Sequence, residues 1–179
     1  SKMGASRDNW AETQAVIRIT APSKDSLEAF FNKNIELIRR FYINAENERV
    51  VRFFGKFRHA DYCDSVRKRF GAELIIPSSL TQARFEKDFA WFSNGNPDFT
   101  ENIVIYKIPY NDESDFMKDN LLYYRDSVMK AYVGGPSEGS YMTTRYEIMP
   151  PVSTVLPTVD GKYSVEIRGL WRSEGDIMG

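Results

Sequence analysis

A chain of 179 residues, 42% hydrophobic and 27% charged, is long enough for one domain or for two small subdomains with a real core. Its 24 basic and 25 acidic side chains balance, so no global field draws in nucleic acid or an anionic membrane surface. A single cysteine excludes an intramolecular disulfide, and no apolar run approaches the roughly 20 residues that span a bilayer.

Residues 1–13 are polar and are expected to be loose. Gln14–Thr20 alternates as a strand and is stopped by Pro22-Ser23. Asp25-x-x-Glu28 then reads as a helix N-terminus, an acceptor side chain meeting orphan backbone N–H groups. Leu27, Phe30, Phe31, Ile35, Ile38, Phe41, Tyr42 and Ala45 follow at helical spacing and predict one helix with an apolar core stripe. A second helix is expected from about Asn47 to Phe70, with Gly55 weakening its middle and Gly71 as a C-terminal stop. Ala72–Ile76 reads as a short strand ended by Pro77.

Phe85–Ser93 reads as one strand, with Phe85, Phe89 and Trp91 on one face and Phe92 on the other. A turn-rich loop, NGNPDFTEN, leads to Asn102–Ile108, which is apolar on both faces and is expected at the centre of the sheet. Pro109 ends it. A third helix begins near Asn111–Asp115 and carries Met117, Leu121, Tyr124, Val128 and Tyr132. The loop GGPSEGS connects to a strand over Tyr141–Ile148. Pro150, Pro151 and Pro157 keep the next stretch extended and irregular, and Asp160-Gly161 turns the chain into a strand over Lys162–Trp171.

The two halves echo each other. Trp91-Phe-Ser93-Asn-Gly95 returns as Trp171-Arg-Ser173-Glu-Gly175, and each half reads strand, helix, strand, strand. The expected fold is therefore α+β: two βαββ (ferredoxin-like) repeats forming a mainly antiparallel sheet with helices on one face. The segments are a loose 1–13, a first unit over 14–101 and a second over 102–179. By the same symmetry another strand is expected to follow Gly179.

No reactive constellation accompanies this pattern. His59 sits with Asp61, Cys63 and Asp64, but i, i+2 and i+4 do not share a helix face, so no metal is expected there. Ser93 and Ser173 have Trp where a nucleophile elbow requires Gly. The Gly134–Gly139 loop follows a helix and opens a strand, the reverse of a phosphate cradle. The basic residues between Arg49 and Arg69 are interrupted by acidic ones and read as a solvated face. No catalytic residue, metal or cofactor is predicted. The candidate ligand or partner surface comprises Trp91, Ser93 and Gly95 in the first tail and Trp171, Ser173, Glu174 and Asp176 in the second. The alternative is an enzyme acting on glycans through Glu166, Glu174 or Asp176 beside Trp171.

The stretches QAVIRITAPSKDSLEAFF, KDFAWFSN, IVIYKIPY, YYRDSVMK, EGSYMTT and YSVEIRGLWRSEGDIMG resemble, in order, a lipoprotein family of the Bacteroidota, domain of unknown function family 4837. The resemblance implies a longer protein, with a lipidated cysteine and a further α/β segment upstream and a sequence like GGPFVSH downstream. It implies a cell-envelope address and brings no activity, cofactor or catalytic residue. Asp25-Ser26-Leu27, Asp64-Ser65-Val66 and Asp126-Ser127-Val128 resemble the short O-glycosylation signal of that phylum. The expected partner is an envelope protein or a glycan, not nucleic acid, with membrane contact only through the upstream lipid anchor.

Overall fold

The computed structural model describes residues 1–96, 98–159 and 161–176. The chain divides into two compact units, Ser1–Ile105 and Tyr106–Gly179.

In the first unit, β1 (Lys2–Arg7) pairs antiparallel with β2 (Ala15–Thr20). The N-terminal segment is thus not loose as expected; Met3 faces Ile19 across the ladder and Ala5 faces Ile17. Between the strands the chain turns through Asp8 and Thr13, both left-handed, with the Asp8 N–H donating to the Gln14 carbonyl. β2 leads into α1 (Lys24–Lys33), whose N-cap is Ser23, not Asp25. The Ser23 hydroxyl accepts from the Ser26 N–H, and Asp25 lies in the first turn, where the helix dipole favours an anion.

The two long helices expected from the apolar spacing are three. α1 ends at Asn34, whose side-chain amide donates to the Phe30 carbonyl at 2.7 Å and interrupts the ladder. α2 (Ile35–Lys56) then runs through the Ala45–Asn47 boundary that the sequence suggested. It contacts β2, and its buried residues are Ile38 and Ala45. The second break falls at Phe57–His59, where the backbone leaves the helix to bond elsewhere. The His59 N–H donates to the Ile76 carbonyl and the Ser78 N–H to the Phe57 carbonyl, both at 2.8 Å. α3 (Ala60–Phe70) ends, as expected, at a left-handed Gly71.

Ala72–Ile76 is not a strand. The Ile76 N–H donates to the Cys63 Sγ, which seats the segment on α3. The expected strand over Phe85–Ser93 is a hairpin: β3 (Gln82–Phe85) pairs antiparallel with β4 (Phe89–Ser93), and the Glu86 N–H closes the turn on the Phe89 carbonyl. β5 (Asn102–Tyr106) completes this sheet in the order β3-β4-β5, so β4, not β5, is central. Both faces of β4 are accordingly covered. The core gathers Val66, Ile76, Leu80, Ala90 and Phe92, bordered by Tyr62, Cys63, Phe70, Phe85, Ile103 and Ile105. Phe92, which alternation sets on the face opposite Phe89 and Trp91, is fully buried, Phe89 is buried as well, and Trp91 is half-buried.

In the second unit a 3-10 turn (Glu113–Phe116) capped by Asp112 precedes α4 (Lys118–Tyr132). Leu122 and Met129 are the buried residues of α4, and Met117, expected in the stripe, is exposed. β6 ends at Arg145 (Tyr141–Arg145) and packs on α4. The stretch expected to be irregular is β7 (Val152–Val159), a strand whose register shifts between Leu156 and Val159, the interval containing Pro157. It pairs antiparallel with β8 (Lys162–Arg168). Asp160 of the expected turn lies outside the described residues; Gly161 is left-handed. The expected strand over Lys162–Trp171 breaks at Gly169, where a Cβ would meet the Pro151 ring at 3.2 Å. β9 (Leu170–Glu174) then pairs antiparallel with β6.

The class is α+β with small antiparallel sheets. The described strands fall into four sheets, β1-β2, β3-β4-β5, β6-β9 and β7-β8, and not into the one sheet of two ferredoxin-like repeats. Long-range pairing, which strand alternation does not encode, decides this. The C-terminal strand inferred by symmetry, and residues 177–179, lie outside the described residues.

Candidate functional site

The two Trp-x-Ser-x-Gly tails adopt related local structure. Each places its Trp and Ser on a strand and its Gly in the left-handed region just beyond, with φ of 65° at Gly95 and 79° at Gly175. Their side chains differ in what they do. Trp91 donates its indole N–H to the Asn102 Oδ1 at 2.9 Å, across β4 and β5. Ser93 is buried, and its hydroxyl accepts from the Gly95 N–H at 3.1 Å, closing the turn. Gly95 lies close to the Gln82 side-chain amide, where a Cβ would stand 2.6 Å from the Nε2. This first tail is therefore built into the fold and offers little free chemistry.

The second tail is more open. Trp171 is 53% exposed and lies opposite Thr144 in the β6-β9 ladder. The Ser173 hydroxyl is buried with no partner among the described residues, and it lies 2.8 Å from where a Gly135 Cβ would stand. Arg172 reaches two carboxylates, Glu147 and Glu174, each at 2.9 Å. The Asp176 carboxylate accepts from the Ser137 hydroxyl at 3.0 Å, tying the turn after β9 to the Gly134–Gly139 loop. Glu166 pairs with Arg168 at 2.9 Å, and this contact raises the Arg168 guanidinium above its ordinary value. The carboxylates of the glycan-cleavage alternative are thus already engaged, two by guanidinium groups and one by a hydroxyl. Neither of the two described cavities is lined by them.

His59 stacks on the Tyr62 ring, with centroids 3.5 Å apart and planes 5° from parallel, as the residue that caps α3. Among the described residues no group of three or more His, Cys, Asp or Glu side chains is arranged to hold a metal ion. No described helix is long and apolar enough to cross a membrane.

The feature that sequence reasoning missed is the surface of α2. Val50, Phe53, Phe54 and Phe57 follow each other at i, i+3, i+4 and i+7 and are all exposed, Phe53 by 57% and Phe57 by 53%. The rings touch each other: the Phe53 centroid is 5.4 Å from that of Phe54 and 5.0 Å from that of Phe57. Helical spacing places Val50, Phe53 and Phe57, without Phe54, on one side of the helix expected over Asn47–Phe70, together with Ala60, Cys63, Val66 and Phe70. The signal that separates them from the core is that α2 carries apolar residues around most of its circumference, more than one small neighbouring sheet can cover.

A family described as Domain of unknown function (DUF4837) has a model that matches residues 59–179. No curated protein and no solved structure matches the chain.

Proposed function

The chain belongs to the DUF4837 family, and on that premise we propose that it is a non-catalytic binding or assembly protein of the cell envelope, lipid-anchored in its full length. One observation carries the reading: the exposed stripe of Val50, Phe53 and Phe54 on α2, continued by Phe57 at its C-cap. Anchors at i, i+3, i+4 and i+7 are the spacing by which a helix lays its apolar face into a groove of a partner. The occupant proposed is another envelope protein that presents such a groove. Arg49, Arg52, Lys56 and Arg58 flank the stripe, which favours an acidic rim on that partner. The lipid anchor and the envelope address rest on the sequence stretches that resemble the lipoprotein family. The internal repeat of the two Trp-x-Ser-x-Gly tails remains part of the proposal, supported by their matching left-handed glycines. The contact surface around Trp91, Ser93 and Gly95, and around Trp171, Ser173, Glu174 and Asp176, is proposed as secondary to α2, because most of its polar groups are engaged within the fold.

The test is affinity purification of the full-length lipidated protein from gently solubilised membranes, followed by mass spectrometry. It is run beside a Phe53→Asp/Phe57→Asp variant shown by circular dichroism to be folded. A stoichiometric partner captured by the natural chain and lost by the variant supports the reading. Capture that the variant leaves unchanged removes α2 as the surface, and an empty purification refutes the assembly role. The enzymatic alternative draws on one observation, the exposure of Trp171. It predicts release of reducing ends from envelope glycans that is abolished by Glu174→Gln.

A further inference from the structure

α4 and β6 enclose an open cavity of about 330 Å³ in the second unit. This is at the small end of the range of small-ligand sites. One wall is rigid. Asp126, on α4, accepts from the Thr144 N–H at 3.1 Å, from the Thr144 hydroxyl at 2.8 Å and from the Thr143 hydroxyl at 3.1 Å. Arg125 holds the same carboxylate at 2.6 Å. Three donors from β6 on one carboxylate tie the strand to the helix, so the lining is organised before any ligand arrives. Burial raises the Tyr106 phenol in this unit above its ordinary value, with Arg125 opposing and Asp126 adding to the effect.

The rest of the lining is chemically uncommitted. Tyr123, 68% exposed, and Tyr146 present rings to the opening. Their phenol groups, the Asp119 carboxylate and the Ser127 hydroxyl have no side-chain hydrogen-bond partner among the described residues, so donors and acceptors converge unspent on one space. The third ring, Tyr141, already carries a cation: the Lys130 ammonium stands 4.6 Å from its centroid.

These charges select the ligand. A cage of tyrosines and carboxylates is suited to an organic cation, but Lys130 holds that place and repels a second positive charge. An anion meets the Asp119 carboxylate at the same wall, while Asp126 is already neutralised by Arg125. What remains favourable is a neutral molecule with apolar C–H faces to lie on phenol rings and hydroxyl groups that both donate and accept. We infer that the cavity between α4 and β6 is a binding site for a neutral carbohydrate. It belongs to the second unit, whereas the stripe on α2 belongs to the first, and it does not depend on the assembly role.

The experiment is an NMR titration of the isotopically labelled full chain. The probes are chitotetraose, maltohexaose and mannohexaose at millimolar concentration, with tetramethylammonium and inorganic phosphate as charged controls. The expected result is saturable shifts from at least one sugar, confined to amides of residues 119–130 and 141–146. The same sugar binds about tenfold more weakly to Tyr123→Ala, the loss of one stacking ring, while the variant keeps a dispersed spectrum. Exposure of Tyr123 makes that substitution safe for folding. Three sugars without saturable shifts, shifts that ignore Tyr123→Ala, or stronger binding of either charged control at these amides would each overturn the inference. Loss of partner capture by the α2 variant leaves this result unaffected, so the two readings fail separately.

Discussion

Replacing Phe92 with alanine measures how much of the stability of the first unit rests on the most buried ring of β4. The ring is completely inaccessible to solvent and is packed among Val66, Ile76, Leu80 and Ala90. It meets Tyr62 with centroids 5.3 Å apart and Phe85 edge-on at 5.5 Å. Removing a phenyl ring from such a site loses its transfer free energy and leaves a cavity, together about 3–5 kcal/mol. A unit of this size has about 5–15 kcal/mol in total, so the variant stays folded in water but with little margin. Taking about 4 kcal/mol and a urea dependence of about 2 kcal/mol per molar, the midpoint falls by about 2 M. The companion variant Trp91→Ala removes a half-buried ring and one hydrogen bond to Asn102, a loss of about 1–2 kcal/mol. Urea unfolding followed by far-ultraviolet circular dichroism measures both without relying on tryptophan as the probe. If Trp91→Ala proves as costly as Phe92→Ala, the packing described for β4 is wrong.

Asp126→Ala is expected to cost about 3 kcal/mol, because it strands the Thr144 N–H and the Arg125 guanidinium together; Asp126→Asn keeps one acceptor and loses less. Denaturant unfolding of the two variants checks the order. Asp115 gives a pH prediction: the Tyr124 hydroxyl at 2.6 Å, then the Asn111 N–H at 2.7 Å, hold its carboxyl below the ordinary range, and the same bond raises the Tyr124 phenol. A depressed carboxyl stabilises the fold fully above its unfolded value and loses that contribution as pH falls through the folded one. The natural chain is therefore more stable than Tyr124→Phe near neutrality, and the difference shrinks on acidification; a difference that stays constant with pH removes Asp115 as its source.

Gly71 shows how far local reasoning reached. A glycine after an apolar helical run was read as a stop, and it adopts the left-handed conformation that only glycine takes without strain. The candidate site was less legible. Trp171, exposed in β9, and Trp91, pinned to Asn102, carry the same motif, and nothing in the motif distinguishes an open ring from an engaged one. The cavity of α4 and β6 was invisible for a related reason: Tyr123 and Tyr146 are neighbours only because Asp126 binds the Thr143 and Thr144 side chains from another element.

Taken alone, the sequence determined the α+β class, most helical and strand content, and the balance of charge, because these follow from the period of apolar residues and from capping and turn chemistry along the chain. Tertiary structure decided where the helices break, which strands pair and which apolar residues remain outside. At Phe57–His59 a helix is given up for bonds to Ile76 and Ser78, and between Phe85 and Phe89 one apparent strand folds back on itself. Phe53 and Phe92 are both aromatic and both at core-like spacing, yet one is exposed and the other inaccessible. The difference lies in how much neighbouring surface the rest of the fold brings to each, a quantity set by long-range contacts and absent from any local pattern.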